Sequence, residues 1–394
     1  MPRPTFAEID LGAVRHNLRA LRGLLAPGVR LMGVIKADAY GHGAVPVART
    51  LEAAGVDMLG VALVEEGVEL RAAGVRAPIL VMGGLPEDEI PHLLEHDLRP
   101  TVTDVGTIGA LAALAPKSGP RIAAHLNIDT GMNRLGIRAA DAARAVEALR
   151  ASGRVRLEGV YTHFASADAP DPATTESQLA DFSHALLKLK AQGLAPPVVH
   201  AANSSALVTL PVSHFDMVRP GLALYGVSPC DAARTRVDLV PALTLKTRVT
   251  HLAHVPRGEG ISYGHTWRAP RDALIGTLPV GYGDGYPRAL SNRGRVRAGA
   301  HLCPVVGTVC MDATLVDLTD VPGTKVGMEV ALIEADNDSP LGARAIAEST
   351  GTISYEILTG LSKRVPRLYR EPDDAQSAPA AAGAPASVSP PPRA

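Results

Sequence analysis

Lys36 is the residue with the plainest chemical potential. It follows the apolar run Leu31-Met32-Gly33-Val34-Ile35, and the glycine-punctuated stretch Ala37-Asp38-Ala39-Tyr40-Gly41-His42-Gly43 comes directly after it. The run reads as a buried strand and the glycines as a turn. Burial disfavours an ammonium, and a neutral lysine amine attacks carbonyl groups to form a Schiff base. The bland alternative is a strand-end lysine that buries its stem and sends its charge to solvent.

Other polar residues repeat this placement. Asn127 and Asp129 end another apolar run, ahead of Thr130-Gly131-Met132-Asn133-Arg134. His163 follows a further run, and His200, Asn203, Ser204 and Ser205 follow the next. Arg219-Pro220-Gly221 closes the series. Each alone suits a satisfied loop polar group. Their recurrence at strand ends is what a (β/α) barrel with a site at its mouth requires.

The elements that would position them are legible between residues 30 and 225. Eight short apolar runs read as strands: Leu31–Ile35, Met58–Ala62, Ile79–Met82, Arg99–Thr103, Ile122–Ile128, Leu157–Thr162, Val198–Ala201 and Met217–Arg219. Amphipathic stretches such as Ala44–Ala54 and Glu176–Gln192 separate them. The expected fold class is α/β, a (β/α)8 TIM-type barrel over residues 11–240. A doubly wound open sheet is the alternative, but no Gly-x-Gly-x-x-Gly follows a first strand. After residue 240 short β-like runs and Gly turns predict a mostly β-strand domain over 241–370, with helices near Leu341–Glu348 and Ser354–Ser362. Residues 1–10 carry a strand expected to join that domain. The Pro/Ala-rich tail, 371–394, reads as disordered.

Composition narrows the function classes. Hydrophobic residues make up 46% and charged residues 20% of 394, with formal net charge −1, which suits a soluble globular protein and gives no basic surface for nucleic acid. No apolar run reaches membrane-spanning length, and the first ten residues lack a signal-peptide core. Three cysteines without framework spacing point to a reducing, cytoplasmic location. His251 and His254 lack further ligands, so no metal is expected. Cys310 reads as a spectator, and Glu65-Glu66 as a solvated helix face.

Ser204 and Gly221 stand in the last two strand–helix loops, where barrels cradle phosphate. A lysine, that cradle and Arg219 together suggest pyridoxal 5'-phosphate, with a charged residue facing its pyridine nitrogen. On these motifs the chain resembles the alanine racemases. The motifs are Lys36–Gly43, Asp129–Gly136, His200–Ser204, Arg219–Gly221, Ile261–Gly264, Gly281–Tyr286, Cys310–Asp312 and Ile353–Glu356. The resemblance implies that Lys36 holds the cofactor and serves as base on the D-face, with Tyr263 the base on the L-face. Phosphate would meet Tyr40, Ser204, Gly221 and Tyr355. Arg219 would face the pyridine nitrogen with His163 close by, and Arg134 and the Met311 backbone would hold the substrate carboxylate. Tyr282 and Tyr286 resemble residues that narrow the entrance, with Arg288 and Asp312 nearby. In the family Tyr263 and Met311 come from a partner subunit, which implies a head-to-tail homodimer. The implied role is interconversion of L- and D-alanine, supplying D-alanine for peptidoglycan.

Physical chemistry adds three expectations. Lysine and tyrosine are weak bases at neutral pH, so burial and nearby cations, His163 and Arg219 among them, are expected to favour a deprotonated Tyr263. Arginine keeps its proton, so a pyridine nitrogen opposite Arg219 stays unprotonated, which favours racemisation over transamination. Asn127 departs from the family pattern, because many relatives have a carbamylated lysine there. Either its amide carbonyl orients Arg134 or a bound anion such as chloride replaces the lost charge near Asn127 and Arg134. The rival readings are a broad-specificity amino-acid racemase, a same-fold decarboxylase of basic amino acids, and a non-catalytic barrel that binds the same cofactor.

Overall fold

The computed structural model describes residues 3–115 and 117–371. The expected disordered tail lies outside the described residues, apart from Glu371. Strand β1 (Phe6–Asp10) comes first, and eight further strands form the barrel: β2 (Arg30–Val34), β3 (Met58–Val61), β4 (Ile79–Val81), β5 (Arg99–Val102), β6 (Ile122–Asp129), β7 (Val155–Tyr161), β8 (Val199–His200) and β9 (Met217–Val218). All pair in parallel with their neighbours, and β9 returns to β2 to close the ring. The expected barrel is the observed one. Its strands are short and apolar because helices cover them outside and side chains fill them inside; every residue of Met58–Val61 and Ile79–Val81 is buried.

The C-terminal half forms a six-stranded sheet and a three-stranded one. In the larger sheet β1 lies between Leu243–Arg248, antiparallel to it, and Arg367–Arg370, parallel to it. Those two flanking strands escaped the sequence reading. Leu243–Arg248 carries the period-2 signal, with Leu243, Leu245 and Thr247 buried and the residues between them less so. The helix Leu11–Arg22 starts where β1 ends, because the Asp10 carboxylate accepts the Ala13 N–H at 3.0 Å. Chain direction therefore passes from sheet to barrel within one residue. The helix Ser354–Thr359 brings the C-terminal half back to the barrel mouth: a Cβ at Gly41 would lie 2.2 Å from the Leu358 carbonyl oxygen, so only glycine allows the approach. Among the described residues no helix is long and apolar enough to cross a membrane.

Candidate active site

A cavity of about 520 Å³ opens at the C-terminal ends of the barrel strands. Nine of the expected residues line it: Lys36, Tyr40, Asn127, Arg134, His163, Ser204, Arg219, Gly221 and Tyr355. They come from distant parts of the chain: the barrel brings eight of them together, and the helix Ser354–Thr359 adds Tyr355.

Strand β2 stops at Val34, and Lys36 opens an unusual turn. Ala37, Asp38, Ala39 and Tyr40 all have φ between +51° and +54°, a left-handed turn without glycine. Each such residue costs about 1–2 kcal/mol, so the turn persists only under constraint. Asp38 Oδ1 accepts the Ala44 N–H at 2.7 Å, and Glu66 Oε1 accepts the Ala37 N–H at 2.6 Å. The second Glu66 oxygen accepts the N–H groups of Ala62 and Leu63. Glu66 is thus a tether between two barrel loops, which corrects the expectation of a solvated helix face. Glu66→Ala leaves three backbone donors without their carboxylate and should cost about 1–3 kcal/mol. Urea denaturation checks this, and an unchanged midpoint would refute the tether. Lys36 itself is held below the usual lysine range, chiefly by burial and then by Arg134, with Glu66 opposing.

Hydroxyl groups and a close backbone approach define one end of the cavity. A Cβ at Gly221 would lie 2.4 Å from the Tyr40 hydroxyl, so this glycine exists to admit the ring. Ser204 Oγ accepts the Gly221 N–H at 2.9 Å. The Tyr40 and Tyr355 rings lie 5.7 Å apart, and Tyr225 packs beneath Tyr40 at 5.0 Å. Burial raises Tyr355 to about 12 and Tyr40 further, so both phenols keep their protons at neutral pH.

Arg219 forms another wall, 4% exposed. Its Nη2 donates to the carbonyls of Thr162 at 2.8 Å and Ala201 at 3.0 Å, and lies 3.4 Å from His163 Nδ1. Its Nη1 donates to His200 Nδ1 at 3.1 Å. Burial lowers Arg219 to about 10, which still leaves a cation at neutral pH. His163 is pushed down to about 3, by burial first and then by Arg219, Arg134 and Lys36. This favours the neutral ring, so of the two cations expected to act on Tyr263 it is Arg219 that keeps its charge beside the cavity.

Six expected residues do not line this cavity. Tyr263 is 74% and Met311 52% exposed on the β domain. Tyr282 is exposed nearby, its turn braced by Asp284, which pairs with Arg3 and Arg364 and accepts the Gly281 N–H. Arg288 is exposed, and Asp312 pairs with Arg364 at 2.6 Å. Tyr286, expected at the entrance, is instead 1% exposed and packed in the core, so in this subunit it supports the Gly281–Tyr286 turn from beneath. Asn127 donates its amide N–H to the Leu135 carbonyl at 3.2 Å and so holds the loop beside Arg134. Sequence reading missed Tyr161, whose ring stacks on His200 and carries the Arg219 guanidinium 5.1 Å above it. Only its position just before His163 pointed to it.

Comparison with known proteins agrees with this geometry. Residues 9–229 match the family model described as alanine racemase, N-terminal domain, and residues 242–369 match alanine racemase, C-terminal domain. The alanine racemase of Sorangium cellulosum is 46% identical over 381 residues, covering 94% of this chain and all of that protein. That of Halothermothrix orenii is 44% identical over 93% of this chain and 97% of its own length. Among solved structures, the Clostridium difficile enzyme superposes with a TM-score of 0.89 at 36% identity, covering 94% of this chain and 97% of its own. The Streptomyces lavendulae enzyme gives 0.88 at 40%, covering 94% and 98%. With both domains matched and relatives this similar along nearly their whole length, the chain belongs to the alanine racemase family.

Proposed function

We propose that the chain binds pyridoxal 5'-phosphate at Lys36 and interconverts L- and D-alanine by a two-base mechanism. The observation that carries this reading is one cavity holding a partly buried amine below its usual pKa, a set of protonated hydroxyls around Gly221, and a permanent cation, Arg219. The residues fit the cofactor in kind. Tyr40, Ser204, Gly221 and Tyr355 would hold its phosphate, and the close approach of the Tyr40 hydroxyl that Gly221 permits brings two of these groups together. Three protein acceptors engage the Nη groups of Arg219, and its remaining N–H groups, Nε–H among them, would be free to face the pyridine nitrogen. When bound, the cofactor supplies a carbonyl for the lysine and an electron sink that acidifies the substrate Cα–H.

The protein's own groups then move protons. Lys36 Nζ takes or returns the Cα proton on one face. Tyr263 Oη serves the opposite face; its exposure, and its place outside this subunit's cavity lining, fit a head-to-tail homodimer in which it enters the partner's site. Arg134 holds the substrate carboxylate with the Met311 backbone of the partner. Tyr282, Arg288 and Asp312 shape the entrance, with Tyr286 supporting the turn. Asp129 faces Arg138, and among the described residues no carboxylate pairs with Arg134, so a chloride ion near Asn127 and Arg134 completes the charge balance. A small-molecule ligand is supported by relatives solved with cycloserine and with L-Ala-P. Three free cysteines suit the cytoplasm, where D-alanine would supply peptidoglycan synthesis. The test incubates the protein and cofactor with L- or D-alanine in deuterated water. Cα exchange with appearance of the other enantiomer supports the reading. Carbon dioxide release from a basic amino acid, or exchange without inversion, overturns it.

A further inference from the structure

The barrel interior is not wholly apolar. From Arg219 at the mouth, a hydrogen-bonded column runs down to Glu158 beside Arg99, the first residue of β5. Arg219 Nη1 meets His200 Nδ1 at 3.1 Å, His200 Nε2 meets His125 Nδ1 at 2.8 Å, and His125 Nε2 meets Glu158 Oε2 at 3.3 Å. Arg99 and Arg156 pair with the same carboxylate. Both histidines are fully buried.

The backbone is shaped for this column. Strands β6 and β7 pair Ala124 with Leu157 and then His125 with Gly159, so Glu158 is a bulged residue with no partner across the strand. A bulge of this kind re-aims a side chain. The next residue must be glycine, because a Cβ at Gly159 would lie 2.6 Å from His125 Nδ1. Two irregularities in adjacent positions serve one pair of side chains.

Donor and acceptor roles in the column have a single solution. A guanidinium only donates, so His200 Nδ1 is an acceptor and His200 carries its proton on Nε2. His125 Nδ1 must then accept, and its own proton lies on Nε2, directed at a carboxylate that only accepts. Every bond points from Arg219 towards Glu158. His42 provides the contrast within the same chain, because its Nδ1 faces the carbonyls of Ala39 and Tyr40 and must be the protonated nitrogen.

We propose that Glu158 and His125 are positioning residues for Arg219: the column fixes His200 as an acceptor and so sets the guanidinium at the barrel mouth from the barrel's far end. The carboxylate, itself paired with Arg99 and Arg156, is the terminal acceptor that orders the column through two neutral imidazoles with no proton transferred. Its bearing on catalysis rests on the reading above, in which Arg219 faces the cofactor; the tautomers do not.

The experiment records nitrogen-15 and proton spectra of histidine- and arginine-labelled protein, for wild type, Glu158→Gln and Glu158→Asp. In wild type, His125 and His200 should both show the Nε2–H tautomer, His42 the Nδ1–H tautomer, and the Arg219 Nη protons slow exchange. Glu158→Gln should mix the tautomers of His125 and His200 and speed Arg219 proton exchange. Its kcat for alanine should fall about tenfold with KM within about twofold. Glu158→Asp should keep the wild-type tautomers. An Nδ1–H tautomer at either column histidine in wild type overturns the proposal, and needs no variant that folds. So does a Glu158→Gln protein with wild-type tautomers and wild-type kcat. If wild type does not racemise alanine, the functional reading fails and the spectra still decide the column.

Discussion

Lys36→Ala is expected to lower alanine racemisation by about 10³-fold or more, because it removes an attachment point and a base at once. Lys36 is the only lysine lining the cavity among the described residues, so no neighbouring amine substitutes for it. The loss should be chemical and not structural. The left-handed turn around Lys36 is held by Glu66, Asp38 and backbone bonds, none of which uses the lysine amine. Thermal unfolding of the apo variant should therefore match wild type. Cofactor absorbance before and after borohydride, followed by L-to-D conversion, checks both parts. Wild-type turnover in Lys36→Ala would end the assignment.

Tyr263→Phe should produce the second large effect, and an asymmetric one. Racemisation should fall about 10²–10⁴-fold in both directions, since a two-base reaction needs both faces. Exchange of the D-alanine Cα proton with solvent should persist, because Lys36 alone can remove and return it on that face. Exchange from L-alanine should collapse. Equal losses in the two exchange reactions would exclude Tyr263 as the L-face base. The structure makes this a clean substitution. The preceding residue, Ser262, has φ +60°, a position that costs about 1–3 kcal/mol for a residue other than glycine. Ser262 Oγ is anchored on the Thr308 carbonyl at 2.6 Å, and Thr308 Oγ1 donates back to the Tyr263 carbonyl at 3.0 Å. A strained, doubly anchored turn therefore presents an exposed phenol, whose hydroxyl has no hydrogen bond among the described residues to lose.

Both predictions concern residues whose chemical type stands out in the chain. Lys36 interrupts an apolar pattern, and Tyr263 sits between a serine and a glycine in a protein poor in aromatics. Arg219 stands out likewise, a cation at the end of a buried strand. Other residues gave no such sign. Glu66 looks like any acid on an amphipathic helix, yet its carboxylate holds three loop amides. Tyr286 looks like its neighbour Tyr282, yet one is buried and the other exposed. His163 carries an ordinary histidine's prospects of protonation until Arg219, Arg134 and Lys36 are placed around it.

By itself the sequence determined the barrel, the β domain and the cluster of chemical groups at strand ends. These follow from periodicity and from polar residues placed against it, which are local properties of the chain. Tertiary structure alone decided which histidines are neutral, which tyrosine is core, how Asn127 contacts its loop, and that Glu158 lies beneath Arg219. Protonation depends on burial and on charges from other strands, and the Glu158 side chain is aimed by a register shift between β6 and β7. Neither quantity exists until the ring of strands closes.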